Sequence, residues 1–390
     1  MQLNLKWVRL SALVLPLCIF QSALFAQQHL DTQLPYRGHE DFARKAVGLF
    51  DHSESPIKLN ATIFNTSDFR SRENLGNDGF AKNQAAGHFH LNILNRFSII
   101  TELTSTRKHG SAFLSFEVER LIARINYSDH FKLSLGRFHT PVGYWNSAFH
   151  HGGWLQTTVD RPNAMKFGSK ILPIHFVGGL LEGNVGSSNF SYRVGFGNAR
   201  SNKINDVRNN FNSVYDRRAA IVGAAYRSTG RHRFEAGTGA LFNKAVTGGG
   251  LNKVDEAIFN GYFVLLSETP EIIAEYTHAL HDSDLSNGHV NSVYGQLAYR
   301  LPFAGAKFKP YFRVEYIDVS RNNPLLGSSK LDYDGVLGGL RWDVLQNVAL
   351  KAEVRNEKFE GRERSTAFWF QVALVLDVNR LLQRAVTMAK

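Results

Sequence analysis

The chain is predicted to be all-β: a transmembrane antiparallel β-barrel of about 16 strands, with short periplasmic turns and long external loops. Three observations predict this. After residue 56, strand-like runs are joined by connections that alternate between a few residues and roughly 8 to 34. Within the clearest runs, apolar and polar residues alternate with a period of two. An export leader opens the chain, yet no later stretch approaches the ~18 to 20 apolar residues of a membrane helix. A soluble sandwich has no reason to place all its long loops at one end.

The leader is read from residues 1–26. Lys6 and Arg9 form a basic start, Leu10 to Phe25 is mostly apolar, and Ala26 is a small residue for cleavage, so a mature chain from about Gln27 is expected. Cys18 is the only cysteine and lies in the leader, which leaves no disulfide and no thiol chemistry in the mature chain. Residues 27–56 show no clear alternation and are expected to form a periplasmic N-terminal segment. The barrel is expected over 57–377 and a short tail over 378–390.

The later strands are the clearest. In Phe308 to Val319, Phe308, Phe312, Val314 and Tyr316 share one face, while Lys309, Tyr311, Arg313 and Glu315 share the other. Val348 to Asn356 sets Val348, Leu350, Ala352 and Val354 against Ala349, Lys351, Glu353 and Arg355. Thr366 to Asp377 aligns Phe368, Phe370, Val372, Leu374 and Leu376. A closed barrel accounts for such strands, with the apolar face toward lipid and the charged face toward a wet lumen. Closure is obligatory, because an open edge in lipid leaves backbone groups unpaired at several kcal/mol each. Turn formers occupy the short connections: Ser128-Asp129-His130, Gly186 to Asn189, Ser228 to Gly230, Pro302 to Lys307 and Leu345 to Asn347. The longest loops are expected at Asn65 to Ala86, His139 to Leu172 and Asn198 to Arg218.

Composition agrees. The chain is polar on average yet rich in aromatics and glycine (Phe 29, Tyr 13, Gly 33), as expected when only alternate residues meet lipid. Loss of the leader takes two positive charges from the formal +11, leaving +9. That excess favours anionic solutes and lipopolysaccharide phosphates; spread over external loops, it has no such role. No nucleic-acid fold signature is present.

The stretch Leu135-Gly136-Arg137-Phe138-His139-Thr140-Pro141-Val142-Gly143-Tyr144-Trp145, continuing to His150-His151-Gly152-Gly153-Trp154-Leu155-Gln156, resembles the strand-plus-loop segment of bacterial outer-membrane porins of the phosphate-selective porin O/P-like type. The resemblance implies a channel of 16 or so strands, often trimeric, in the outer membrane. Two features differ. Porins of this kind usually end on an aromatic residue, whereas here Asp377 to Lys390, expected as a short helix, follows the last strand. The lysine-rich loop of the best-known relatives is not evident, so phosphate selectivity is not among the expectations.

Two groups of candidate site residues follow. In porins a loop at the position of 139–172 folds inward and narrows the lumen. Here Tyr144, Trp145 and Trp154 would supply flat walls, and His150, His151 and Arg161 polar or cationic contacts; alternatively the aromatics simply pin the loop to the barrel. On the last strands Arg300, Arg313, Arg341, Lys351 and Arg355 face inward with Glu315 and Glu353. They form either a pore-lining set or a balanced ion-pair network, two arrangements that use the same residues. His150 and His151 make no metal site, since neighbours on an extended chain point apart and further ligands must come from the fold. No G-x-S-x-G or H-E-x-x-H motif occurs, so neither a catalytic residue nor a cofactor is assigned.

The function expected from these readings is passive diffusion of small hydrophilic solutes through an outer-membrane channel, anion-preferring, with loop 139–172 as constriction. The expected partners are outer-membrane lipid, lipopolysaccharide, the solutes themselves and two further copies of the chain. The competing reading is a closed or plugged barrel acting as receptor, adhesin or envelope scaffold.

Overall fold

A computed structural model describes residues 56–380, apart from 73–78, 109–110, 112, 150–151, 167–168, 201–217, 230–232, 248–251 and 330. The leader, residues 27–55, His150, His151 and the tail beyond 380 lie outside the described residues.

Sixteen strands form one closed antiparallel barrel in which every strand pairs with its sequence neighbours. They are β1 (Ile57–Arg72), β2 (Gly79–Ile93), β3 (Phe97–Lys108), β4 (Ser115–Ser128), β5 (Phe131–His139), β6 (His175–Asn184), β7 (Phe190–Asn198) and β8 (Ala219–Arg227). The second half comprises β9 (Phe234–Thr247), β10 (Asn252–Leu265), β11 (Glu271–Asp282), β12 (Asn287–Ala298), β13 (Phe308–Val319), β14 (Tyr333–Leu345), β15 (Val348–Phe359) and β16 (Ser365–Asp377). β1 closes the ring on β16, from Thr62 opposite Asp377 to Arg72 opposite Ala367. Beyond β16, Asn379 continues the seam: its Oδ1 accepts from the Ala61 N–H at 2.9 Å and its Nδ2 donates to the Leu59 carbonyl at 2.5 Å.

The alternation read from sequence sets the two faces. On β13, Phe312 and Val314 are 50% and 43% exposed on the outside, while Lys309 and Arg313 are 1% and 0% exposed within. Exposed aromatics gather near the short turns, where Tyr127 meets Phe131, Phe190 meets Tyr226, and Phe308 stacks on Trp342. Toward the loop end Phe69 meets Phe80, and Phe242 meets Phe259 near mid-strand. Aromatics at the turn end suit a membrane interface.

All five short turns expected from sequence join strands. One expected loop does not hold. Residues 65–72 and 79–86 are paired strand, with Asn65 opposite Ala85 and Ser67 opposite Asn83. Their outward positions carry Asn65, Ser67 and Asn83, so hydropathy ceases to alternate although the hydrogen-bond ladder continues. The principal buried cluster, which includes Trp145, Phe149, Leu241 and Ile258, joins residues of the β5–β6 connection to the barrel wall.

Candidate functional site: a loop folded into the lumen

Residues 140–174 leave β5 and return to β6 through a narrow neck, where the Thr140 N–H donates to the Ile174 carbonyl at 2.8 Å. Much of what lies between is buried, including Trp145, Met165, Ile171 and Leu172. A loop placed in a lumen has a chemical problem: its backbone groups leave bulk water and must find partners. The inward charges of the wall supply them.

The first contact is a helical cap. Gly143 takes φ 82 and starts the short helix α1 (Tyr144–Ala148). Glu275 of β11 accepts the N–H groups of Tyr144 and Trp145, both at 3.0 Å. A carboxylate suits the donors at a helix start. Gly143 makes room for it, since a Cβ there would lie 2.3 Å from Glu275 Oε1. Asn260 Nδ2 holds the same oxygen at 3.1 Å. Trp145 is fully buried, with Phe149 and Tyr294 against its ring at 4.5 and 6.0 Å.

Beyond 151 the loop crosses to β13–β16 and β1. Its 3-10 turn Gly153–Leu155 packs on β1 and β16. Arg341 donates to the carbonyls of Trp154 (2.7 Å) and Gln156 (2.9 Å), and its guanidinium lies 5.3 Å from the Trp154 ring. Lys351 donates to the carbonyls of Gly153 and Thr158, at 2.5 and 2.9 Å. Arg313 donates to Thr158 Oγ1 and the Asp160 carbonyl, both at 3.0 Å. Acids take the loop's donors: Glu271 accepts from Thr157 Oγ1 at 2.9 Å, Glu353 from the Val159 N–H at 3.1 Å, and Glu315 from the Asn163 N–H at 2.6 Å. Arg355 is ion-paired with Glu353 and lies 3.5 Å over the Trp369 ring.

Six of the seven inward residues named from sequence are thus gathered beneath or beside the loop. Arg300 is the exception. It sits in the turn after β12 and pairs with Glu268 and Asp343, at 2.7 and 2.5 Å. Of the loop candidates, Tyr144 and Trp145 form the cap, Trp154 rests under Arg341, and Arg161 is buried with its Nη1 on the Met165 carbonyl at 3.2 Å.

The other wall is different. Between the loop and β1–β4 remains a cavity of about 460 Å³. Arg70, Lys82 and Lys108 reach it from the barrel, and Arg161 and Lys166 from the loop, with Asp160 among them. Asp160 lies 3.5 Å from Arg70 and 3.6 Å from Lys166. Burial by itself would raise its pKa, but Lys166, Arg70 and Lys82 outweigh it and hold the carboxyl well below the usual carboxylate range. Burial pulls the pKa values of Arg161 and Lys166 below their ordinary values, against the opposing pull of Asp160. Sequence reading missed Arg70 and Lys82 because both lie in the stretch taken as loop.

No protein-family model and no curated protein matches this chain. Solved structures do. The anion-selective porin from Comamonas acidovorans superposes with a TM-score of 0.59 at 10% identity, covering 82% of this chain and 99% of that one. The outer membrane channel DcaP of Acinetobacter baumannii gives 0.55 at 8% identity, covering 82% and 97%. In vitro folded OmpT, an outer membrane protein of Vibrio cholerae in its trimer form, gives 0.52 at 12% identity, covering 83% and 100%. The chain has the barrel fold of the outer-membrane porins and channels.

Proposed function

We propose that the protein is an outer-membrane porin through which small hydrophilic solutes diffuse passively, with residues 140–174 as its constriction and a preference for anions. The observation that carries this is the unequal lumen: the loop is bonded to one wall, and the space left beside it is edged by five cations against three acids, Glu117, Glu119 and Asp160. Pore width and rings of charged side chains set selectivity in such channels. In this reading Arg313, Arg341, Lys351 and Arg355, with Glu315 and Glu353, fix the loop, while Arg70, Lys82 and Lys108 meet the solute. Phosphate specificity is not part of the proposal. The Comamonas porin is described as anion-selective and the OmpT structure as a trimer, and both properties are proposed for this chain, as are the outer-membrane location, contact with lipopolysaccharide, cleavage of the leader and the absence of an enzymatic step.

The test is planar-bilayer recording on the refolded protein. Stable conductance steps, with a reversal potential of anionic sign under a salt gradient, are expected; cation selectivity would sink the anion preference. A silent but folded barrel would favour the second reading, a closed receptor, adhesin or scaffold. The observation behind that reading is the depth of loop packing, in which Arg313, Lys351 and Arg355 are wholly buried.

A further inference from the structure

We propose that Glu119, His139 and His175 form a binding site for a divalent transition-metal ion, of which Zn²⁺ is the best match, at the root of the lumen loop. The three side chains come from β4, the last residue of β5 and the first of β6, and all are buried. Their ligand atoms lie within 4.8 Å of one another. Two imidazoles and one carboxylate suit zinc, cobalt or nickel, and three protein ligands leave a position for water.

The local geometry favours an ion here. His139 and His175 are directly opposite in the β5–β6 ladder, with ring centroids 5.3 Å apart. Glu119 Oε2 lies 2.7 Å from His175 Nε2. Thr104 Oγ1 donates to the other carboxylate oxygen at 3.1 Å, the kind of outer contact that orients a metal-binding carboxylate. Glu119 also borders the 460 Å³ cavity, so an ion in the lumen reaches the site without crossing the wall.

Arg137 is a built-in competitor. Its Nη2 lies 3.0 Å from His175 Nδ1. A guanidinium only donates, so Nδ1 accepts and the ring carries its proton on Nε2, toward Glu119. An ion takes that proton's place on Nε2. The ring stays neutral by carrying its proton on Nδ1 instead, and Arg137 turns away. Tetrahedral bonds of about 2.0 to 2.2 Å also require the ligand atoms to draw together.

The experiment is isothermal titration of Zn²⁺ into the refolded full chain in detergent, with Co²⁺ absorption as a second readout of tetrahedral coordination. One ion per chain is expected, bound at least about tenfold more weakly by His139→Ala and by Glu119→Gln. Arg137→Gln should bind severalfold more tightly, because the amide oxygen accepts the Nδ1 proton where the guanidinium repels the ion. Heat-modifiable gel migration checks that each variant folds, and if one ligand variant fails to fold, the other and Arg137→Gln still decide. Replacing His278 and His289, neighbours on β11 and β12 with ring centroids 6.3 Å apart, should leave binding unchanged. The proposal is overturned by no uptake at about millimolar Zn²⁺, by uptake that survives both ligand substitutions, or by a folded Arg137→Gln chain that binds more weakly. None of these readouts needs an open lumen, so failure here leaves the porin reading standing.

Discussion

The inner walls of β11–β16 and of β1–β4 are built to one rule and do different work. On both, alternate positions carry charged side chains of both signs. Across β11–β16 the loop lies on them, and their hydrogen bonds go to loop carbonyls, amides and hydroxyls. Along β2–β4 the loop stands off, and Lys82 and Lys108 border a cavity, joined by Arg70 at the loop end of β1, which lies 3.5 Å from Asp160 of the loop. An inward charge is therefore an anchor or a solute contact according to what covers it. Anchors are costly to remove, because truncating one member of a buried pair strands the other, at about 3–5 kcal/mol. Charges beside water shift the local field at little cost in stability.

The sharpest way to break this contrast is to cut an anchor. Arg355→Ala leaves Glu353, which holds the Val159 N–H of the loop, and Glu357 buried without their cation, and a loss of about 3–5 kcal/mol in stability is expected. Single-channel records should show larger, noisier steps, and proteases should cut the loop faster. Unchanged records would mean that the loop holds its place without the wall charges.

A smaller effect is expected at the cap. Gly143→Ala places a Cβ where φ is 82 and against Glu275 Oε1, costing about 1–3 kcal/mol through strain and a displaced carboxylate. Thermal unfolding in detergent should fall by a few degrees while the barrel still migrates as folded. An unchanged unfolding temperature would remove the cap from the account.

On the open wall the expectation is reversed. Lys108→Glu, at an exposed cation with no buried acid beside it among the described residues, should leave step size and unfolding temperature nearly unchanged and lower the anion-to-cation permeability ratio. A collapse of the conductance steps would mean that this residue is an anchor too.

The subtlest test is pH. Because the cations around Asp160 depress its pKa, it stays charged below the ordinary carboxylate range, and its contribution is present above that range and lost only as pH falls through the depressed value. Asp160→Asn should therefore be more anion-selective than the parent at pH 7, with the difference persisting at about pH 3. A difference that halves near about pH 4 and is nearly gone at about pH 3 would place Asp160 in open water.

Legibility in the sequence followed the same divide. Phe312, Val314 and Tyr316 against Lys309, Arg313 and Glu315 were legible because lipid on one side and a polar lumen on the other impose a period of two. Residues 65–72 and 79–86 were not, since their outward Asn65, Ser67 and Asn83 erase the contrast while the ladder persists. The inward direction of Arg313, Arg341, Lys351 and Arg355 was readable; their partners were not, for Arg341 and the Trp154 carbonyl stand 187 residues apart in the chain. The same holds for Glu275 and Tyr144, 131 apart, and for Glu119 and His175, 56 apart.

Strand count, inside-outside orientation, turn positions and the existence of a long Trp- and His-rich connection after β5 are local properties. They depend on residues one to four positions apart and on the solvent each face meets, so the chain's own order specifies them. Which wall that connection lies against, which charges it covers, and where water and cations remain depend on contacts between residues distant in the chain. Closure of the barrel brings those residues together, and burial makes each unpaired polar group expensive, so the folded arrangement alone selects the partners.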